Sequence, residues 1–136
     1  MNRQEIKHEF FAYRNGVVAD TLRRSGMNYR MIFGCDVPSI AAIARRIGYD
    51  DVLAEQLWSE TDVRESRLLA TYLFNPAKTE IEKAVRLASE VRTREEADML
   101  AFRLLKRLPY ATELAEKLST LPECALASQS LSHHLS

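Results

Sequence analysis

Apolar residues recur along this 136-residue chain at helical spacing, most clearly between Phe33 and Phe74. Ile40, Ile43, Ala44 and Ile47 fall at i, i+3, i+4 and i+7, one stripe on a helix. Val52, Leu53, Leu57 and the single tryptophan, Trp58, make a second stripe. Val63, Leu68, Leu69, Tyr72, Leu73 and Phe74 make a third and wider one. The turns between these segments are too tight to hold a strand, and no helix hides its stripe alone. The pattern therefore predicts an all-α chain of stacked antiparallel helix pairs, an α-α superhelix of the HEAT-like or armadillo type. An irregular helical bundle is the competing architecture.

Before this stretch, Ile6, Phe10, Tyr13, Val17 and Leu22 give an N-terminal helix over residues 1–26, with a break or kink at Asn15-Gly16 and Gly26 as its C-cap. Asn28 to Val37 reads as a loop, too apolar for a free linker and so folded back over the core. Pro38 opens the next helix from its first turn, Gly48 ends it, and Asp50 caps the one after. Asp62 with Glu65, Thr79 with Glu82 and Thr93 with Glu96 match the capping-box pattern and mark three further starts. Pro76 ends the helix finishing at Phe74. The helix from Thr93 carries Ala97, Leu100, Ala101, Leu104, Leu105 and Leu108 as far as Pro109, and the last helix carries Leu114, Ala115, Leu118 and Leu121. The expected organisation is one helical-repeat domain over 1–122, with three helix pairs in 38–121, followed by a disordered tail over 123–136. At about 28 residues per pair the unit is shorter than the roughly 40 of HEAT and armadillo repeats.

Composition adds little to this picture and removes several function classes. With 46% hydrophobic and 28% charged residues the chain has the make-up of a soluble globular domain. Cys35 and Cys124 lie far apart without metal-ligand spacing, and no histidine pair shares a helix face with a carboxylate, so neither a metal nor a cofactor is expected. The charged N-terminus shows no signal-peptide core and no apolar run approaches a membrane span, which predicts a cytoplasmic protein with no membrane partner. Nineteen basic residues balance nineteen acidic ones, which argues against strong non-specific nucleic-acid binding. Arginine nonetheless outnumbers lysine fourteen to five, and residues 1–49 carry a net +4 against −4 beyond. Arg45 and Arg46, then Arg64 and Arg67, then Arg103, Lys106 and Arg107 could set cations along one edge of a stack, a spacing that suits phosphates and a solvated helix face equally.

Three segments resemble the DNA alkylation repair family, the all-helical AlkD-type alkylpurine DNA glycosylases. FGCDVPSIAAIARRI is similar to that family's aromatic-Gly entry with its Val-Pro and Ala-rich helix. LAEQLW and VRESRLLATYLF resemble its Leu-Trp helix and its Glu-x-Arg-x-Leu-Ala helix. TREEADMLAFRLLKRLPYA resembles the helix that carries the catalytic aspartate, and the likeness covers roughly residues 30–120. The resemblance implies an α-solenoid whose basic face holds duplex DNA, with an aspartate stabilising the positive sugar as the bond to an alkylated purine breaks. It also implies tryptophans that contact the sugar and the cationic base. Asp98 matches the catalytic aspartate, and Arg94 stands where the family's Trp-x-x-x-Asp pattern has its tryptophan. Trp58 lies on a different helix and is expected in the core. On residues alone, Asp98 also suits the first turns of a helix, where its charge favours the dipole and Arg94 can pair with it.

The expectation is a shortened relative of these glycosylases that contacts DNA without intact glycosylase chemistry. Asp98 is its candidate catalytic residue; Arg45, Arg46, Arg64, Arg67, Arg94, Arg103 and Arg107 are the candidate nucleic-acid contacts. The alternative is a protein-interaction solenoid that binds a protein partner, or a second copy, through an apolar C-terminal repeat around Leu114, Leu118 and Leu121; a working DNA glycosylase that uses Asp98 ranks last.

Overall fold

A computed structural model describes residues 1–136. It is all-helical, with nine α-helices: α1 Arg3–Ala12, α2 Gly16–Arg24, α3 Val37–Ile47, α4 Asp51–Trp58, α5 Arg64–Leu73, α6 Ile81–Ser89, α7 Arg94–Arg103, α8 Ala111–Ser119 and α9 Ala125–Leu135. Extended pairing is limited to one bridge, Met31 to Val63. The chain contacts divide it into two compact units, Met1–Leu73 and Phe74–Ser136.

In the first unit α3 and α4 pack on α5, and α1 packs on α3. The N-terminal segment breaks where Asn15-Gly16 predicts: the Asn15 side chain accepts the Val17 and Val18 N–H groups and starts α2 as a separate helix. The apolar loop after Gly26 does fold inward, burying Tyr29, Ile32 and Cys35. Its anchor is Glu65. This fully buried carboxylate accepts the consecutive N–H groups of Phe33, Gly34 and Cys35 at 3.0, 3.0 and 3.3 Å, so three amides converge on one anion. Arg64, also buried, donates to Glu65 at 2.7 Å and to the Cys35 carbonyl at 3.0 Å, compensating both charges where water is excluded. Gly34 sits inside this clamp at φ +84°, and a Cβ there would lie 2.1 Å from the Asn15 carbonyl oxygen. Burial, and then the neighbouring Glu65 charge, push the Cys35 thiol up to about 12, so it stays protonated and donates to the Phe10 carbonyl.

That clamp corrects one expected capping box. Glu65 is spent on the loop, and the first N–H of α5, on Arg64, is taken by the Met31 carbonyl at 3.2 Å. The Thr79–Glu82 pair differs as well, because buried Thr79 turns its hydroxyl back to the Asn75 carbonyl and α6 starts at Glu80 without a side-chain cap. Thr93 caps α7 as its spacing predicts, accepting the Glu96 N–H at 3.1 Å. Trp58 is a core residue, 2% exposed, with the Arg67 guanidinium 3.6 Å from its ring centroid.

In the second unit α6 and α8 pack together and α9 packs across α7, α8 and α6. Two features depart from expectation. The long helix predicted through Leu108 stops at Arg103 and continues as a 3₁₀ turn over Leu105–Arg107. Leu104 and Leu105 are both fully buried where the α-helix gives way to the 3₁₀ turn. Residues 123–136, expected as a disordered tail, instead carry α9, with Cys124, Ala127 and Leu131 fully buried against the unit. Those positions fall at i, i+3 and i+7, the stripe of one helix face.

Candidate nucleic-acid interface

The seven candidate arginines separate into two physical classes. Arg64 and Arg67 are 3% and 1% exposed, committed respectively to the Glu65 clamp and to the Trp58 ring and carbonyl, the latter at 2.5 Å. They hold the first unit together and cannot reach a phosphate. Arg45 and Arg46 lie exposed in the last turn of α3, where their charge also offsets the carbonyl end of the helix. Arg46 pairs with Glu9 of α1, which leaves Arg45 as the more available cation of the two.

In the second unit Arg94 begins α7 and is exposed, as is Asp98 one turn later. Asp98 does not stand alone: the Ser130 hydroxyl of α9 donates to its Oδ1 at 2.8 Å. One turn beyond, Phe102 of α7 meets His134 of α9 with ring centroids 5.6 Å apart. Because both pairs advance by four residues, α7 and α9 run in the same direction, and Asp98 and Phe102 share one face of α7. Arg103 and Lys106 reach the Phe102 ring at 5.6 and 3.9 Å, and Arg107 donates from Nε to the Phe102 carbonyl at 3.4 Å. The structure thus sets Arg103 and Lys106 over one exposed ring and Arg107 on the same residue's carbonyl, with Asp98 a turn away. Phe102 is the residue that sequence reasoning missed. Its signal was position: it falls outside the Ala97-Leu100-Ala101-Leu104 stripe, immediately before a cluster of cations.

Elsewhere, no group of three or more His, Cys, Asp or Glu side chains could hold a metal ion. Of the leucines expected to await a protein partner, Leu114 and Leu118 are fully buried in a unit where α9 packs on α8, and Leu121 stays partly exposed. No helix is long and apolar enough to cross a membrane.

A family model described as DNA alkylation repair enzyme matches residues 6–135. No curated protein matches the chain. A solved structure, described as a new family of proteins related to the HEAT-like repeat DNA glycosylases with affinity for branched DNA structures, superposes with a TM-score of 0.84 at 19% identity. The superposition covers 97% of this chain and 56% of that one, so the chain spans little more than half of its structural relative. At that identity the likeness establishes the fold, a HEAT-like helical repeat.

Proposed function

The chain belongs to the DNA alkylation repair family, and from that premise we propose that it is a DNA-contacting helical-repeat protein without intact glycosylase chemistry. The observation that carries the DNA reading is the cation cluster at the end of α7, where Lys106 lies over the exposed Phe102 ring and Arg107 donates to the Phe102 carbonyl instead of pairing with carboxylates. Arg94 at the start of the same helix and Arg45 in the first unit add exposed guanidinium groups suited to phosphate oxygens. The structural relative's affinity for branched DNA supports extending the substrate class to junctions.

The loss of glycosylase chemistry rests on the surroundings of Asp98. A carboxylate that stabilises developing positive charge acts best in a dry, preorganised site walled by aromatic faces. Asp98 is exposed, accepts a hydrogen bond from Ser130, and has Arg94 one turn before it where the family pattern has a tryptophan. A guanidinium there repels the cationic base that such a site must hold.

The test is binding of a fluorescent linear duplex and a four-way junction at low and physiological salt, together with release of alkylated purines from methylated DNA. Wild type is expected to bind both DNAs at low salt and release no base, and Arg94→Ala/Arg107→Ala to bind at least tenfold more weakly. Absence of binding at low salt overturns the DNA reading, and base release abolished by Asp98→Asn overturns the loss of chemistry.

A further inference from the structure

Phe102 and Leu135, at 40% and 39%, are the exposed large apolar residues of the second unit, and of the two only Phe102 lies among cations. Its neighbours Leu100, Leu104 and Leu105 are fully buried, yet its ring remains 40% exposed. The ring adds little to the core of the unit, and its surroundings are specific. Lys106 Nζ lies 3.9 Å from the ring centroid and the Arg103 guanidinium carbon 5.6 Å. On the α9 side the ring contacts His134, which in turn contacts His133, both at 5.6 Å between centroids. Three rings therefore follow one another in steps of the same length, flanked by cations.

We propose that Phe102, with His134 beside it, Lys106 over its ring and Arg107 on its backbone carbonyl, forms a stacking platform for an unpaired base of a nucleic-acid strand. The proposal rests on the DNA reading above and names what this part of the surface would recognise.

The chemistry favours a nucleic acid over an apolar protein segment. An apolar partner would cover the ring only by desolvating Lys106 and Arg107 without compensating their charge. A strand with an unstacked base brings both complements at once, a π face for the ring and phosphates for the cations, the combination that single-strand binding surfaces use. Paired bases within a duplex are already stacked on their neighbours and offer the ring no face, so the platform separates unpaired from paired DNA. Lys106 is poised for exchange. Its ammonium covers the ring in the free protein, a favourable cation–π contact, and a solvated lysine swings aside on the side-chain timescale to meet a phosphate as a base takes its place. The His134 ring is tilted 54° from Phe102, and His133 stands at 74° to His134, so the imidazoles of α9 border the Phe102 face and do not continue it. This also gives α9 a role beyond closing the core, because His134 reaches Phe102 only while α9 is docked along α7.

The experiment compares Phe102→Ala, Phe102→Trp and wild type against two probes of equal length. One is a single-stranded oligonucleotide carrying 2-aminopurine, and the other is the fully paired duplex. Stacking contributes about 1–3 kcal/mol per base, so Phe102→Ala should bind the single strand about 5- to 150-fold more weakly and lose the 2-aminopurine quenching. Its duplex affinity should stay within twofold of wild type. Phe102→Trp should restore binding, and its new exposed indole should be quenched by the strand. Equal single-strand affinity and quenching for Phe102→Ala and wild type would overturn the platform while leaving the DNA reading intact. Failure of wild type to bind either probe at low salt would overturn both. Far-ultraviolet circular dichroism of the variants confirms that the substitution at this exposed position leaves the helices in place.

Discussion

Glu65 shows how a single side chain can hold a loop that has no regular structure of its own. Phe33, Gly34 and Cys35 present successive amides that would each cost free energy if buried without a partner, and one carboxylate satisfies all three. Arg64 neutralises that carboxylate and takes the Cys35 carbonyl, so the loop, the start of α5 and both buried charges form one unit. Removing one member strands the others. Glu65→Ala leaves a buried guanidinium and three unsatisfied amides, and should destabilise the protein by about 3–5 kcal/mol. Urea denaturation followed by circular dichroism measures it; a loss below about 1 kcal/mol would mean that water enters the clamp and that the loop is held by its apolar residues instead. The same geometry shows why Glu65 was misassigned from sequence. Its spacing from Asp62 satisfies the capping-box pattern, but a pattern four residues long carries no information about the loop thirty residues earlier that claims the carboxylate.

Among the helices, those bounded by strong punctuation were legible: Asn15-Gly16, Gly26, Pro38, Gly48, Asp50 and Thr93 each mark a boundary that the structure places within a residue or two. Pro38 restricts its own backbone, Gly26 and Gly48 take up the positive φ that ends a helix, and the polar residues carry their own capping groups, so tertiary context has little to override. Helix α9 lacked such marks. It has no acidic residue in its first turn and no side-chain cap, and it is held by packing alone. Helices in proteins owe most of their stability to that packing, which a local reading undervalues. If α9 is an integral layer, Leu131→Ala should cost about 2–5 kcal/mol, the range for a leucine removed from a closed core. A frayed tail would tolerate the same change within about 0.5 kcal/mol, as exposed positions do. Thermal denaturation of the full chain separates the two. The candidate interface was legible in a similarly uneven way. Arg94, Asp98, Arg103 and Arg107 are exposed or partly exposed on one helix and the turn that continues it. Arg64 and Arg67 look identical in sequence and are buried, because the spacing of arginines does not reveal whether a carboxylate or an indole awaits them inside.

For the molecule as a whole, charge balance decides what kind of DNA contact is available. Ten basic residues face ten acidic ones in Met1–Leu73, and nine face nine in Phe74–Ser136, so neither unit attracts a polyanion by net charge. Binding then depends on local cations that carboxylates have not claimed, and Arg46 is already paired with Glu9 while Arg64 and Arg67 are buried. If Arg94, Lys106 and Arg107 of the second unit each neutralise one phosphate, the logarithm of the binding constant should fall with the logarithm of salt at a slope of about −2.7. A salt titration of duplex binding by fluorescence anisotropy reads this directly, and Arg107→Ala should make the slope shallower by about 0.9. A flat dependence would show that phosphates are not contacted at all. A slope twice as steep would recruit further exposed cations such as Arg24, Arg30, Arg92 and Lys117 before it drew on the ion pair between α1 and α3 or on the buried arginines. The two demands differ in their consequences. Opening Arg46 from Glu9 disturbs one exposed pair, whereas extracting Arg64 or Arg67 dismantles the Glu65 clamp or uncovers Trp58, so the extra contacts of a steep slope are expected on the surface, and alanine substitution of each surface cation that takes part should flatten it by about 0.9.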